Sequence, residues 1–237
     1  AGYSESDSTS GLSLDAYPTD SICYLPGHGD GVNCDIGANL PSYTPDETLI
    51  DSEGIVYLLN SEQNRIYRWS SVSGEHLNPL VVGSSDPLNS ITPSFMAYSF
   101  EYQRLYLGYD SGAITYIDLL LNNSEQPFTA TAMSVGGLVS VGNYLLAQDA
   151  SGAWDTHYIF DRDGNLTQSK DWNNYSRVYA WDSVQERVYF FDDGTSPNDL
   201  HWEQIDQATG LITAEGESPY HGDYTIVPPL EVSKDGS

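Results

Sequence analysis

The sequence predicts an all-β chain of tandem four-stranded antiparallel units, on three observations. Tyr is abundant, with 18 copies, and recurs among Val, Ile and Thr in short apolar runs. Such residues suit a pleated, half-buried strand. Gly, Pro, Asn or Asp interrupts nearly every stretch within about ten residues, before a helical period can establish itself. An apolar strand motif also returns at a regular interval.

That motif is clearest in Tyr102-Gln-Arg-Leu-Tyr-Leu-Gly-Tyr-Asp110 and Gln185-Glu-Arg-Val-Tyr-Phe-Phe-Asp-Asp193. Both put Arg, an aliphatic residue and Tyr at the start of a strand and Asp at its end. Gly142-Asn-Tyr-Leu-Leu-Ala-Gln-Asp149 has the same shape with Asn143 in place of Arg, and Gly54-Ile-Val-Tyr-Leu-Leu-Asn60 is an earlier copy. The later steps are about 39 and 44 residues, the length of one blade of a repeat fold. The first step is longer, the excess falling in the Ser/Asp/Pro segment 83–93.

Each copy continues alike. Polar turns follow at Asp110-Ser-Gly112, Asp149-Ala-Ser-Gly152 and Asp192-Asp-Gly194, where Asp and Gly tolerate tight hairpin angles. A further strand comes next, as in Ala113–Asp118, Thr156–Phe160 and Leu200–Ile205. Another turn and a weaker outer strand close the unit. A leading strand precedes each central one, as in Phe95–Ser99 and Val178–Trp181, although none is obvious for the first unit.

The central strands are near-continuous apolar runs, the pattern of sheets covered on both faces. Blades stacked around an axis are covered in this way, so the units predict a β-propeller. The pattern resembles bacterial exported propellers of the YVTN or WD-repeat-like kind over roughly residues 50–237. The eukaryotic WD-repeat marks are displaced: Trp181-Asp182 lies on a leading strand and Gly27-His28 in a loop. The resemblance therefore implies the architecture and not that family's scaffold role.

The expected organisation is a polar tether over 1–20, a turn-rich segment over 21–48, and blades at about 49–83, 94–134, 135–174 and 175–222. A further blade starts at 228–237. The final segment fits either a piece of a larger propeller of six to eight blades or a strand closing a ring of four. Its end inside a turn signature favours the piece, whose partners would be the remaining blades of a longer chain.

Charge excludes some functions. With 34 acidic residues against 8 basic and a net charge of −26, the chain lacks the clustered Lys and Arg that nucleic-acid backbones require. Anionic membrane surfaces are disfavoured alike, and the longest apolar runs are strand-sized, so no transmembrane segment is expected. Acidity fits solubility in a saline setting, or a surface that collects cations. Cys23 and Cys34 flank ten turn-rich residues. A disulfide there, preferred over free thiols or a zinc site with His28, implies an oxidising compartment. Together with the Ser-rich start, it points to an exported protein: periplasmic, outer-membrane-anchored or extracellular.

Candidate chemistry is sparse. Asp161, Asp163 and Asn165 alternate around Gly164, a spacing able to curl round calcium, although the same residues make an ordinary hairpin turn. No other cofactor is expected. The five histidines form no H-x-H or H-E-x-x-H motif, and no nucleophile elbow or phosphate loop occurs. His157 and His201 hold equivalent places on their strands and are expected to be satisfied partial-core residues. Aromatics in polar connections are the better lead: Trp154, Trp172 and Tyr175 are the expected ligand-binding residues, with packing between blades as the alternative use of such rings. The expected function is a non-enzymatic binding module for a protein or carbohydrate. The alternative is a propeller enzyme with an axial site, a lactonase-like hydrolase or a polysaccharide lyase or glycosidase, possible with calcium.

Overall fold

Strands form where aromatic and β-branched residues lie between turn residues. The structure, a computed structural model, describes residues 45–83, 91–121, 124–131, 134–150, 154–172, 175–192 and 199–221. Among them every regular element is a strand, and no helix is long and apolar enough to cross a membrane. They make four four-stranded antiparallel sheets, each in sequential strand order, which is the blade of a β-propeller. Cys23, Cys34, the tether and the segment 228–237 lie outside the described residues.

Two compact units divide at Thr92 and Pro93. The first holds one blade: β1 (Glu47–Ile50), β2 (Ile55–Asn60), β3 (Arg65–Ser70) and β4 (His76–Val81). Its leading strand, missing from the sequence expectation, is β1. Four residues with alternating exposure carry too little apolar signal to stand out. Asp51 shapes the turn behind it, its Oδ1 accepting from Glu53 N and Ile55 N at 2.9 Å each.

The second unit holds three blades. These are β5 (Pro93–Ser99) to β8 (Glu125–Ala130), β9 (Val135–Val141) to β12 (Leu166–Asp171), and β13 (Ser176–Asp182) to β16 (Ile212–His221). Between the ends of each blade lie β6 (Arg104–Tyr109) and β7 (Ala113–Asp118), β10 (Tyr144–Asp149) and β11 (Thr156–Phe160), and β14 (Arg187–Asp192) and β15 (Asp199–Ile205). The leading strands β5, β9 and β13 stand side by side as the inner strands.

Burial on both faces explains the unbroken apolar runs. Along β10, Leu145 and Ala147 pack with Ala97, Tyr106 and Ile114 of the preceding blade. The intervening Leu146 packs with Val188 and Ile205 of the following one. At about 25 cal/mol per Å² of apolar surface, each such leucine, isoleucine or valine contributes roughly 1.5–3 kcal/mol.

Each inner strand of this unit carries an extra residue near its start. Ser94 is unpaired between Pro93 and Phe95, Gly136 between Val135 and Gly137, and Val178 between Arg177 and Tyr179. A bulge shifts the alternation by one, so Ser176 and Tyr179, three apart, share the face toward the preceding blade. Val178 sits at φ 52°, a conformation costly for a β-branched residue. Gly137 answers it across the interface: a Cβ there would meet the Tyr179 ring at 2.6 Å.

Two substitutions should therefore move stability in opposite directions, read as urea midpoints. Val178→Gly relieves the left-handed strain and should gain about 0.5–1 kcal/mol net of glycine's entropy. Gly137→Ala forces Tyr179 out of place and should cost about 1–3 kcal/mol.

Candidate functional site

The interface between the last two blades changes character along its length. At one end it is the apolar cluster of Val141, Leu146, Ile159, Val188 and Ile205. Toward the other end the same strands present Gln148, His157 and Glu203, all fully buried. Period-two alternation places them there: Gln148 follows Leu146 on β10, His157 precedes Ile159 on β11, and Glu203 precedes Ile205 on β15.

Burial without partners would be costly, and these groups are bonded to one another across the blades. His157 Nδ1 lies 2.8 Å from Glu203 Oε2, and Lys170 Nζ of β12 donates to Glu203 Oε1 at 2.9 Å. Lys170 also donates to Glu215 of β16. His157 Nε2 faces Ser176 Oγ at 3.1 Å and Tyr179 Oη at 3.3 Å. Burial alone would raise the Glu203 carboxyl, but His157 and Lys170 more than offset it and hold the group below the usual carboxylate range. Burial would likewise lower the Lys170 ammonium, and Glu203 and Glu215 reverse this, leaving it above the usual lysine range.

A second knot of hydrogen bonds ties the loops above. Asp155 Oδ2 accepts from Gln148 Nε2 and Ser176 N at 2.5 Å each, and from Ser176 Oγ at 3.1 Å. The Asp155 carbonyl accepts from Trp172 N at 2.9 Å. Asp155 is thereby fastened to Trp172 and Ser176, the chain neighbourhood of Trp154 and Tyr175.

Those two rings are the exposed part of the site. Trp154 and Tyr175 are 51% and 40% exposed, their centroids 6.0 Å apart and their planes inclined at 56°. Trp172 is placed differently. It lies inside, parallel to His157 at 6.1 Å and edge-on to Phe190 at 4.8 Å and His201 at 5.0 Å. His157 and His201 both contact it, one deep and one shallower.

Asp161, Asp163 and Asn165 are at the opposite end, in the β11–β12 turn. Asp161 Oδ1 accepts from Asp163 N and Asn165 N, and Oδ2 from Asn165 Nδ2, all at 2.9 Å. Slight burial would raise the Asp161 carboxyl, and these donors hold it below its usual range instead. The turn forms one wall of an open depression of about 370 Å³, which Tyr102, Asn143, Tyr144 and Gln207 also line. Among the described residues no group of three His, Cys, Asp or Glu side chains is placed to hold a metal.

Ser176, His157 and Glu203 follow one another in the order nucleophile, base, acid. All three are sealed from solvent. Ser176 Oγ directs its proton to Asp155 and accepts from Tyr179 Oη at 2.7 Å. A substrate cannot reach the hydroxyl, and its proton does not point at the base that would have to take it. The chain of contacts is a structural tie.

The fold that holds this site is a β-propeller, and solved structures share it. Kuenenia stuttgartiensis hydrazine synthase matches with a TM-score of 0.58 and 13% identity, over 75% of this chain and 49% of that one. A streptogramin B lyase structure matches with a TM-score of 0.56 and 13% identity, over 81% and 60%. This chain thus spans about half to three-fifths of those chains, and identity so low shows the fold alone. No family model matches the chain, and no curated protein matches it.

The buried tie should dominate stability. Glu203→Ala strands His157 and Lys170 and should cost about 3–5 kcal/mol in urea unfolding. Its pH profile follows from the two shifts. The Glu203 contribution is complete above its unfolded value and lost as pH falls through the lowered folded value. The Lys170 contribution is complete below its unfolded value and lost as pH rises through the raised one. The contribution of this tie should therefore be constant between these limits, and Glu203→Gln should remove its share of the acid-side fall.

Proposed function

We propose that this propeller is a carbohydrate-binding module, exported from the cell, whose ligand stacks on Trp154 and Tyr175. The single observation that carries it is the pairing of two exposed aromatic rings whose chain neighbours, Asp155 and Ser176, are hydrogen-bonded to each other. Trp and Tyr offer large, rigid contact area at low entropic cost, and preorganised loops lower the cost of binding further. A sugar ring presents an apolar C–H face to such rings and hydroxyls to the carboxylates around them. Binding is favoured over catalysis because the Ser176, His157 and Glu203 sequence is closed to solvent. Export rests on the Cys23/Cys34 spacing and the acidic composition, and kinship to YVTN or WD-repeat-like exported propellers on the blade repeat.

Calorimetric titration against a panel of soluble oligosaccharides tests it. Trp154→Ala and Tyr175→Ala should each weaken binding of the recognised sugar at least tenfold, or about 1.4 kcal/mol. Unfolding midpoints should change little, because both rings are exposed. No binding across the panel, or binding indifferent to both substitutions, would refute the proposal.

A further inference from the structure

We propose that the open depression beside the β11–β12 turn is a separate ligand site and takes a small zwitterion of the α-amino acid kind. It lies at the other end of the blades from Trp154 and Tyr175, and the assignment is independent of the carbohydrate reading.

The first ground is a recess with a fixed frame. It holds about 370 Å³, and three blades build it. Tyr102 comes from the β5–β6 hairpin, Asn143 and Tyr144 from the β9–β10 hairpin, and Gln207 from the β15–β16 turn. Asn143 is fastened from both sides. Its N donates to Gln207 Oε1 at 2.8 Å and its Nδ2 to the Gln207 carbonyl at 3.3 Å, while its carbonyl accepts from Tyr102 Oη at 3.3 Å. Arg104 Nη1 donates to the Arg162 carbonyl at 2.8 Å and so ties the turn to the preceding blade. Walls held in this way need little ordering when a ligand arrives.

The second ground is the charge inside it. The charged residues that line the recess are Asp161, Arg162 and Asp163. Asp161 is already answered by the N–H groups of its own turn. Asp206, on the neighbouring turn, is answered by Ala208 N, Thr209 N and Thr209 Oγ1. Arg162 and Asp163 are different. Both are exposed, and among the described residues neither side chain has a hydrogen bond or an ion pair. The Arg162 guanidinium lies only against the Tyr102 ring, 5.2 Å from its centroid. Asn143 Oδ1 and Tyr144 Oη are without partners too. Burial holds the Tyr144 phenol above its ordinary value, so its hydroxyl stays a donor.

One unanswered cation and one unanswered anion thus stand on consecutive residues, about 3.8 Å apart at Cα. A singly charged ligand is opposed either way: an anion by the field of a chain of net charge −26, a cation by Arg162 at short range. An α-amino acid carries both charges on one carbon and has no net charge. Its carboxylate suits the guanidinium fork and its ammonium suits Asp163. A neutral hydroxyl gains about half as much from either, because charge-assisted hydrogen bonds are roughly twice as strong.

The test titrates the common L-amino acids into the intact chain, then the amide and the N-acetyl derivative of the tightest binder. The amide lacks the carboxylate and the N-acetyl derivative lacks the ammonium. The parent amino acid should bind about tenfold tighter than either, or more. Arg162→Ala should abolish the preference over the amide, and Asp163→Ala the preference over the N-acetyl derivative. Unfolding midpoints should hardly move in either variant, since both side chains are exposed. Trp154→Ala should leave amino acid binding unchanged. Binding of no amino acid, an amide that binds as tightly as its parent, or a preference that survives Arg162→Ala overturns the proposal. Loss of binding in Trp154→Ala places the ligand at the other end and overturns it as well.

Discussion

Glu203 has no access to solvent, and a buried carboxylate survives only if its neighbours hold it charged. Two blades must stand in register for that to happen. His157 reaches it from β11, Lys170 reaches its other oxygen from β12, and Lys170 is steadied in turn by Glu215 on β16. A hydrophobic interface tolerates sliding by fractions of an ångström, because its attraction has no direction. Hydrogen bonds near 2.8 Å do not. The apolar half of this interface holds the blades together, and the polar half fixes where they meet.

Registration at that depth extends by hydrogen bonds toward the rim. His157 also faces Ser176 and Tyr179, and Ser176 bonds Asp155, so the contacts run without a break from the outer strands to the loops bearing Trp154 and Tyr175. The strained bulge at Val178 belongs to the same constraint. Without the extra residue, Ser176 and Tyr179 would face opposite sides of β13, and only one of them could meet His157. The stored strain of a β-branched residue at positive φ is offset by two hydrogen bonds that no regular strand could make.

The parts of this structure legible in the sequence are those with short-range signatures. The recurring Arg-aliphatic-Tyr run and the Asp/Gly turns marked the central strands, since each of these depends on local propensity and two-sided burial. The leading strands were harder: β1 is four residues long, and in β9 Val135 is followed by Gly136 and Gly137, which have no side chain to show a period. The polar tie was hidden for a different reason. His157, Glu203 and Lys170 are separated by up to 46 residues, and each alone looks like an ordinary strand residue. One signal was available: a Glu at the position where Val188's partner strand should be apolar, between Trp202 and Ile205. Trp154, Tyr175 and Trp172 were equivalent in sequence, as aromatics in polar connections. Only the third dimension separates them, two outward and one against His157 and Phe190.

The same geometry decides between the two chemistries open to a Ser-His-Glu sequence. A nucleophilic serine needs its proton aimed at the histidine and its oxygen open to a carbonyl carbon. Here the proton goes to Asp155, the remaining lone pairs face Tyr179 and His157, and the oxygen has no opening. Freeing it would require breaking the Asp155–Ser176 contacts, and those contacts are what hold the aromatic rim in place. Catalysis at Ser176 and the observed placement of Trp154 and Tyr175 therefore make opposite demands on one set of hydrogen bonds. The structure has them all formed, which is the state that keeps Ser176 Oγ closed.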